Sequence, residues 1–210
     1  MQCLLCHKEI GSDSLYDLLA SNDVLCSACR GSWKRIDLHF QIAGVPAYAP
    51  WLYEEHFSHA LIQYKEAGDE ALAPVFFQLD QKKLKRKYRN WYVCAMPSTE
   101  RKRKLRGFSH LALMYDWLGE VHEPFGLREQ LDQKAKGIER ERMASNLFLQ
   151  EPVDAEKILL VDDTVTTGAT LRGAQCALGS GRYVEILCAS ANHRFVKDRG
   201  KRVGKWPAAP

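Results

Sequence analysis

The stretch "KILLVDDTVTTGATLRGAQCALGSG", Lys157 to Gly181, decides the fold. Four apolar residues precede two adjacent aspartates, and small hydroxyl residues follow before a helical pattern begins. The apolar run predicts a buried strand, and "ATLRGAQCALGSG" predicts a helix closed by glycines. Because adjacent like charges resist desolvation, Asp162 and Asp163 directly after a buried strand indicate a ligand site.

Two further apolar runs repeat the strand pattern. "NWYVCAMPS" (residues 90–98) and "YVEILCASA" (residues 183–191) predict buried strands. Between them, "SHLALMYDWLGE" (residues 109–120) predicts a helix with Ser109 as its N-cap. Buried strands that alternate with helices are typical of a parallel sheet covered by helices on both faces, so we predict an α/β fold.

The segment from residue 44 to residue 79 predicts one extended stretch and two helices. "GVPAYAPWLYE" is extended, and Pro46 and Pro50 favour a sheet edge or a loop. The following residues carry apolar side chains at helical spacing in two halves, which predicts two amphipathic helices broken near Gly68.

Composition bounds the class of protein. The chain has 210 residues, of which 46% are hydrophobic, enough for one sizeable core with a small satellite domain. No apolar run approaches the roughly 18 residues that span a bilayer, and the N-terminus lacks the pattern of a secretory signal. We therefore expect a cytoplasmic protein without membrane insertion, divided into residues 1–35, 36–195 and a basic tail at 196–210.

Four of the seven cysteines form two Cys-x-x-Cys pairs: Cys3, Cys6, Cys26 and Cys29. This spacing is typical of a tetrathiolate zinc site in a reducing compartment. A module of about 35 residues buries too little apolar surface to fold alone, so structural Zn²⁺ is expected to supply the missing stability. Cys94, Cys176 and Cys188 fall within strand and helix patterns and are predicted to lie in the core.

Asp162 and Asp163 are predicted at the carboxyl end of their strand, where ligands bind in open α/β sheets. The hydroxyl residues that follow would present backbone and side-chain donors at the positive end of a helix dipole, which favours phosphate. The two carboxylates can accept hydrogen bonds from sugar hydroxyls or hold a divalent cation. Together these features predict a site for a ribose 5-phosphate.

The segment "ILLVDDTVTTGATL" resembles the phosphoribosyl pyrophosphate (PRPP) loop of type I phosphoribosyltransferases. The resemblance implies a type I phosphoribosyltransferase-like fold in which Asp162 and Asp163 contact the ribose 2′- and 3′-hydroxyls. It further implies that the turn cradles the 5′-phosphate through Thr164, Thr166, Thr167, Gly168, Ala169 and Thr170.

Motifs from Cys3 to about Ala191 resemble the ComF family. In order, they are the four-cysteine module, "ALIQYKEAGD", "AMPSTERKRKLRGFSHLALM", "GIERERMASNLFL" and the PRPP loop. Two departures stand out. Ser109 and His110 stand where the family's RGFNQ motif has Asn-Gln. Ala135 stands where a second family motif has a glutamine, upstream of Arg142 and Asn146.

Positive charge is concentrated between residues 82 and 106, where eleven residues are basic and one is acidic. In type I phosphoribosyltransferases, the loop that follows the strand predicted at residues 90–98 binds pyrophosphate. The resemblance therefore implies that Lys102, Arg103 and Arg106 are candidate diphosphate ligands. The preceding run is either a solvated helix face or a surface for single-stranded nucleic acid, beside the aromatic residues Tyr88, Trp91 and Tyr92. Its candidate contacts are Lys82, Lys83, Lys85, Arg86, Lys87 and Arg89.

Three functions are compatible with these features. The resemblance implies a ComF-type protein that binds PRPP with Mg²⁺ and acts with DNA-uptake proteins in the use of external DNA. If the protein is an enzyme, a nitrogen nucleophile displaces pyrophosphate from C1 of PRPP, with Asp162, Asp163, Lys102 and Arg103 as catalytic residues. The alternatives are a single-stranded DNA-binding protein with a non-catalytic or regulatory PRPP loop, and a nucleobase-salvage phosphoribosyltransferase.

Overall fold

The computed structural model describes residues 1–10, 23–127 and 146–197. Within these ranges the helices are α1 (Ser27–Gly31), α2 (Glu55–Glu66), α3 (Gln81–Lys87), α4 (Glu100–Arg106), α5 (His110–Tyr115), α6 (Ala169–Leu178) and α7 (His193–Lys197). The strands are β1 (Arg35–Ile42), β2 (Val45–Leu52), β3 (Tyr92–Ala95), β4 (Val121–His122), β5 (Phe125–Leu127), β6 (Leu147–Leu149), β7 (Lys157–Val165) and β8 (Tyr183–Ala191). Ala135, Arg142 and the tail beyond residue 197 lie outside the described residues.

Six of the strands form a sheet in the order β1-β2-β8-β7-β3-β4. All neighbours in it are parallel except β1 and β2, which pair antiparallel. The apolar residues of the central strands β7 and β8 are almost fully buried, as expected for strands covered on both faces. The predicted α/β fold, a mostly parallel sheet flanked by helices, is confirmed.

The expectation that Pro46 and Pro50 mark a sheet edge or loop is wrong. They lie in β2, which is extended as predicted but pairs with β1 on one side and β8 on the other. The pairing of β1 with β2 shifts register between Arg35 and Leu38, opposite the segment that contains Pro50. A proline has no N–H to donate, and an interrupted ladder tolerates that loss.

Two other sequence expectations need correction. The second predicted amphipathic helix is a 3₁₀ helix, Glu70–Phe76, and it contains Pro74, whose ring clashes with the i−4 carbonyl of an α-helix. Cys176 is exposed, since α6 turns Leu171, Ala174 and Leu178 toward the core instead. Cys94 and Cys188 are buried, as predicted.

The cysteine-containing N-terminal residues pack against the 3₁₀ helix Glu70–Phe76. Arg30, which follows Cys29, is 5% exposed and forms an ion pair with Asp23 at 2.7 Å. Its guanidinium also donates to the carbonyl of Val75 at 2.9 Å. These contacts fix the cysteine segment onto the elements that follow β2.

None of the helices in the described ranges combines the length and the apolar character that crossing a bilayer requires.

Candidate functional site

A cavity of about 580 Å³ opens at the carboxyl edge of the parallel strands. All of the predicted PRPP-loop residues line it: Asp162, Asp163, Thr164, Thr166, Thr167, Gly168, Ala169 and Thr170. Both aspartates lie within β7 and not after it, because β8 supplies strand partners up to Val165. Asp162 pairs with Cys188, and the hydroxyls of Thr164 and Ser190 lie 2.8 Å apart.

The loop after β7 delivers the N-terminus of α6 to this cavity. Gly168 is the N-cap of α6 and has a φ of 71°, a conformation that glycine adopts without strain. A Cβ at this position would lie 3.1 Å from the Ile42 side chain, so the loop also packs too closely for a larger residue. The amide of Ala169 donates to the Thr167 hydroxyl at 3.3 Å. The positive end of the α6 dipole therefore opens onto the cavity.

Each aspartate uses one carboxylate oxygen within the protein. Oδ1 of Asp162 accepts the backbone N–H of Asp163 at 2.9 Å. Oδ2 of Asp163 accepts from the Lys65 ammonium and lies 3.1 Å from Nε2 of His110. Among the described residues, none donates to Oδ2 of Asp162 or to Oδ1 of Asp163. Each carboxylate thus keeps one oxygen for a hydroxyl donor from a ligand.

Lys65 and His110 are functional candidates that sequence reasoning missed. Lys65 comes from the end of α2 and pairs with Asp163 across 98 positions of sequence. His110 is the first residue of α5, 53 positions before Asp163. The motif "ALIQYKEAGD" and the His110 departure from Asn-Gln were the available signals.

The two carboxyl groups differ in their acidity. Burial, with the neighbouring charge of Asp163, raises the pKa of Asp162 to about 8. Burial acts to raise the pKa of Asp163 too, but the Lys65 charge and the His110 hydrogen bond outweigh it and hold that pKa well below its usual range. Burial lowers the pKa of His110, which favours the neutral imidazole. Asp163 is therefore the anionic member of the pair at neutral pH.

The three candidate diphosphate ligands lie in different places. Lys102 and Arg106 line the large cavity, beside the aspartates. Arg103 forms an ion pair with Glu123 and lines a smaller neighbouring cavity. The N-terminus of α4 that carries Lys102 is capped by Thr99, whose hydroxyl accepts from the Lys102 amide at 3.4 Å.

The opposite wall of the cavity comes from the ends of β2 and β8. Tyr53, Asn192 and Arg194 line it there. The amide of Asn192 donates to the carbonyl of Val165 at 3.0 Å, which fixes this wall to the end of β7. The cavity thus has Lys102 and Arg106 on one side and an aromatic ring, an amide and a second guanidinium group on the other.

The four predicted zinc ligands lie together. The sulfur atoms of Cys3, Cys6, Cys26 and Cys29 are all within 4.8 Å of one another. Tetrahedral zinc with Zn–S bonds near 2.3 Å places its sulfurs about 3.8 Å apart, and the Cys6 and Cys26 sulfurs are separated by 3.7 Å. The geometry therefore fits one tetrahedrally bound metal ion.

The first basic run lies at the other, amino edge of the sheet. Most of its candidate contacts are exposed: Lys82, Lys83, Lys85, Arg86 and Arg89. Lys87 pairs with Glu185 at 2.6 Å. Tyr88 is 2% exposed and donates to the same carboxylate, so its predicted availability for base stacking is wrong. Trp91 and Tyr92 are partly exposed, and Trp91 packs edge-on against Tyr183.

No protein-family model matches the chain. Two curated proteins match most of it. The competence protein ComFC of Bacillus subtilis (strain 168) is 22% identical, and the match covers 88% of this chain and 91% of ComFC. The competence protein ComFC of Streptococcus pneumoniae (strain ATCC BAA-255 / R6) is 27% identical, over 81% of this chain and 90% of that protein. Both similarities agree with the motif order and support membership of the ComF family.

Proposed function

We propose that the carboxyl-edge cavity binds the 5-phosphoribosyl group of PRPP in a competence-related protein. The observation that carries the proposal is the pair of carboxyl groups, each with one oxygen available for a ligand, beside the N-terminus of α6. Two neighbouring acceptors suit two vicinal hydroxyls, and a helix N-terminus suits a phosphate. A ribose 5-phosphate presents both groups at one end of a molecule.

The diphosphate of PRPP would lie toward α4. Lys102 and Arg106 supply positive charge on that wall of the cavity, and the Arg106 guanidinium can bind phosphate oxygens through directed N–H groups. Mg²⁺ that accompanies the diphosphate would be held near Asp162 and Asp163 and would reduce the charge that Lys102 and Arg106 must neutralise. Arg103 contributes to this charge only if it leaves Glu123.

If transfer follows binding, a nitrogen nucleophile attacks C1 of PRPP, the C1–O bond to pyrophosphate breaks and pyrophosphate leaves with the electron pair. Asp162 and Asp163 hold the ribose, and the positive charge of Lys102 stabilises the leaving pyrophosphate. Catalysis would rest on positioning and on electrostatic stabilisation of the positive charge at C1.

The proposal is tested by the effect of PRPP with Mg²⁺ on the melting temperature. We expect PRPP to raise it in the wild type and to leave it unchanged in the Asp162→Asn, Asp163→Asn double variant. A Lys8→Gln variant, which changes an exposed charge outside the cavity, is the matched control. Absence of a shift in the wild type would reject the ligand. Pyrophosphate release, measured against a panel of bases and amines, tests transfer.

The four-cysteine cluster is proposed to hold structural Zn²⁺. Four thiolates complete a tetrahedron and leave no open position for water, so the metal stabilises the fold and does not take part in hydrolysis. The ComFC relatives, together with the basic surface, also support action on incoming DNA in the cytoplasm with DNA-uptake proteins as partners.

A second candidate function is binding of single-stranded DNA at the amino edge of the sheet. Five exposed basic residues lie beside the partly exposed rings of Trp91, Tyr92 and Tyr183. The side chain of Tyr183 is 45% exposed. Such a surface combines phosphate attraction with base stacking.

Oligothymidine affinity tests this second candidate. Replacing Lys82, Lys83, Lys85 and Arg86 by glutamine should weaken binding and lower its salt dependence, since fewer counterions are released. The Asp162→Asn, Asp163→Asn variant should bind DNA as the wild type does, because the cavity lies at the opposite edge. Equal DNA affinity in the charge variant and the wild type would contradict a role for this surface.

A further inference from the structure

A row of hydrogen-bonded side chains runs from the diphosphate wall of the cavity to the aspartates. Nη1 of Arg106 lies 3.2 Å from Nδ1 of His110, and Nε2 of His110 lies 3.1 Å from Oδ2 of Asp163. The side chains of Arg106 and His110 are 5% and 7% exposed. Glu66 accepts from Nη2 of Arg106 at 2.9 Å and holds the other end of the row.

The row fixes the tautomer of His110. A guanidinium has only donors, so Nδ1 of His110 must accept from Arg106 and carries no proton. The single proton of the neutral ring then resides on Nε2, and that N–H donates to Asp163. Arg106 thereby determines which face of the imidazole is a donor, although it makes no contact with the carboxylate itself.

We propose that His110 is a positioning residue for recognition of the ribose hydroxyls, held as the Nε2–H tautomer by Arg106. The inference rests on the proposed binding of a phosphoribosyl group. The His110 N–H and the Lys65 ammonium both engage Oδ2 of Asp163, which prevents rotation of the carboxylate and directs Oδ1 into the cavity. Selectivity for a sugar hydroxyl follows from that fixed direction.

Arg106 also connects the diphosphate wall of the cavity to the ribose-binding carboxylate. Its Nε is buried and, among the described residues, has no hydrogen-bond partner. Nη1 is engaged by Ser98 and His110, and Nη2 donates one N–H to Glu66, which leaves its second N–H for a ligand. Arg106 therefore joins the diphosphate wall to the ribose-binding carboxylate through one rigid side chain.

The side-chain chemistry defines a conservative and a disruptive variant. Glutamine at position 110 has an amide oxygen to accept from Arg106 and an NH₂ to donate to Asp163, so His110→Gln can preserve both contacts. Leucine has a similar bulk but neither function, so His110→Leu leaves Asp163 held by Lys65 alone.

Selectivity between sugars tests the inference. Affinities are measured for ribose 5-phosphate, 2-deoxyribose 5-phosphate, 3-deoxyribose 5-phosphate and inorganic phosphate. We expect the wild type and His110→Gln to prefer ribose 5-phosphate over at least one deoxy analogue by about tenfold or more. His110→Leu should reduce that preference to about twofold, with an unchanged affinity for inorganic phosphate.

Arg106→Met provides an independent arm if His110→Leu does not fold. This substitution removes the donor that holds His110 as the Nε2–H tautomer, and His110 itself is unchanged. Ribose 5-phosphate has no diphosphate that would contact Arg106, so the loss of a diphosphate ligand does not affect the measurement. The same loss of selectivity is expected. Full selectivity in either disruptive variant, or equal loss in His110→Gln and His110→Leu, would overturn the inference. Failure of the wild type to bind ribose 5-phosphate at all would instead reject the proposed function.

Discussion

The hydroxyl of Tyr64 donates to the backbone carbonyl of His110 at 2.6 Å. Tyr64 immediately precedes Lys65 in α2, and His110 begins α5. One buried hydrogen bond therefore connects the two helices that carry both partners of Asp163. Tyr64 is fully buried, so no water can replace its hydroxyl at that carbonyl.

Tyr64→Phe should lower the free energy of unfolding by about 1 kcal/mol, because a buried hydrogen bond to the His110 carbonyl is lost. It should also weaken PRPP binding, since α2 and α5 are no longer joined. Chemical denaturation and titration with PRPP measure the two effects. Tyr183→Phe is the control, because that side chain is 45% exposed and should change neither quantity appreciably. Wild-type PRPP affinity in Tyr64→Phe would contradict the link.

Asp162→Asn should stabilise the ligand-free protein, increasingly so from about pH 5 to pH 8. The pKa of an aspartate in an unfolded chain is about 3.9, whereas burial beside Asp163 raises the folded pKa of Asp162 to about 8. Between these values the folded state binds more protons, so rising pH lowers the stability of the wild type. Asparagine stays neutral and avoids this loss. Melting temperature as a function of pH measures the difference.

Asp163→Asn should have the opposite sign. The folded pKa of Asp163 lies below its unfolded value, so its ionised form adds stability that is present above about pH 4 and lost as pH falls further. The substitution removes the ion pair with Lys65 and should lower the melting temperature at neutral pH. Shifts of the same sign in both variants would show that the two carboxyls do not titrate in opposite directions.

Gly168→Ala should reduce phosphate affinity and stability together. The residue has a φ of 71°, and a Cβ would come within 3.1 Å of Ile42. The strain of a left-handed non-glycine residue costs about 1–2 kcal/mol, and relief of the Ile42 contact would shift the loop. Gly179→Ala is the matched control, since its φ is 73° but nothing lies within 4 Å of its Cβ. An equal phosphate affinity in the two variants would contradict the role of close packing.

Removal of zinc should unfold the N-terminal residues and lower the melting temperature of the whole protein. Arg30 follows Cys29 and reaches the Val75 carbonyl, so the loss of the metal would release a buried charge from its place. Elemental analysis should give about one zinc ion per chain. Cys29→Ser should abolish binding of the metal, whereas Cys176→Ser, at an exposed cysteine, should retain it. Zinc-free, reduced protein with unchanged stability would remove the structural role.

Contiguous features were the most predictable from sequence. β7, the following loop and α6 occupy one unbroken stretch, so the apolar run and the helix pattern specified them locally. The cysteine pairs were likewise visible in their spacing, and their sulfurs lie together. The strand limit at Val165 was not predictable, because it depends on the length of β8.

Contacts between distant elements were not predictable from local pattern. Lys65 and His110 reach Asp163 only because α2 and α5 both approach the carboxyl edge of the sheet. Within the basic run, charge alone did not distinguish Arg103, which pairs with Glu123, from Arg106, which lines the cavity. Lys87 and Tyr88 looked available for nucleic acid, yet Glu185 on a different strand engages both.

One oxygen of each aspartate accepts hydrogen bonds from the protein and the other is available to a ligand, and this arrangement has a consequence for the thermodynamics of binding. A carboxyl group that already accepts from the protein has less rotational freedom to lose when a ligand arrives. Asp162 is held by the Asp163 amide, and Asp163 by Lys65 and His110, so the acceptors are preorganised. The entropic cost of ordering these side chains is therefore met during folding, and the proposed sugar phosphate would encounter acceptors that are already aligned.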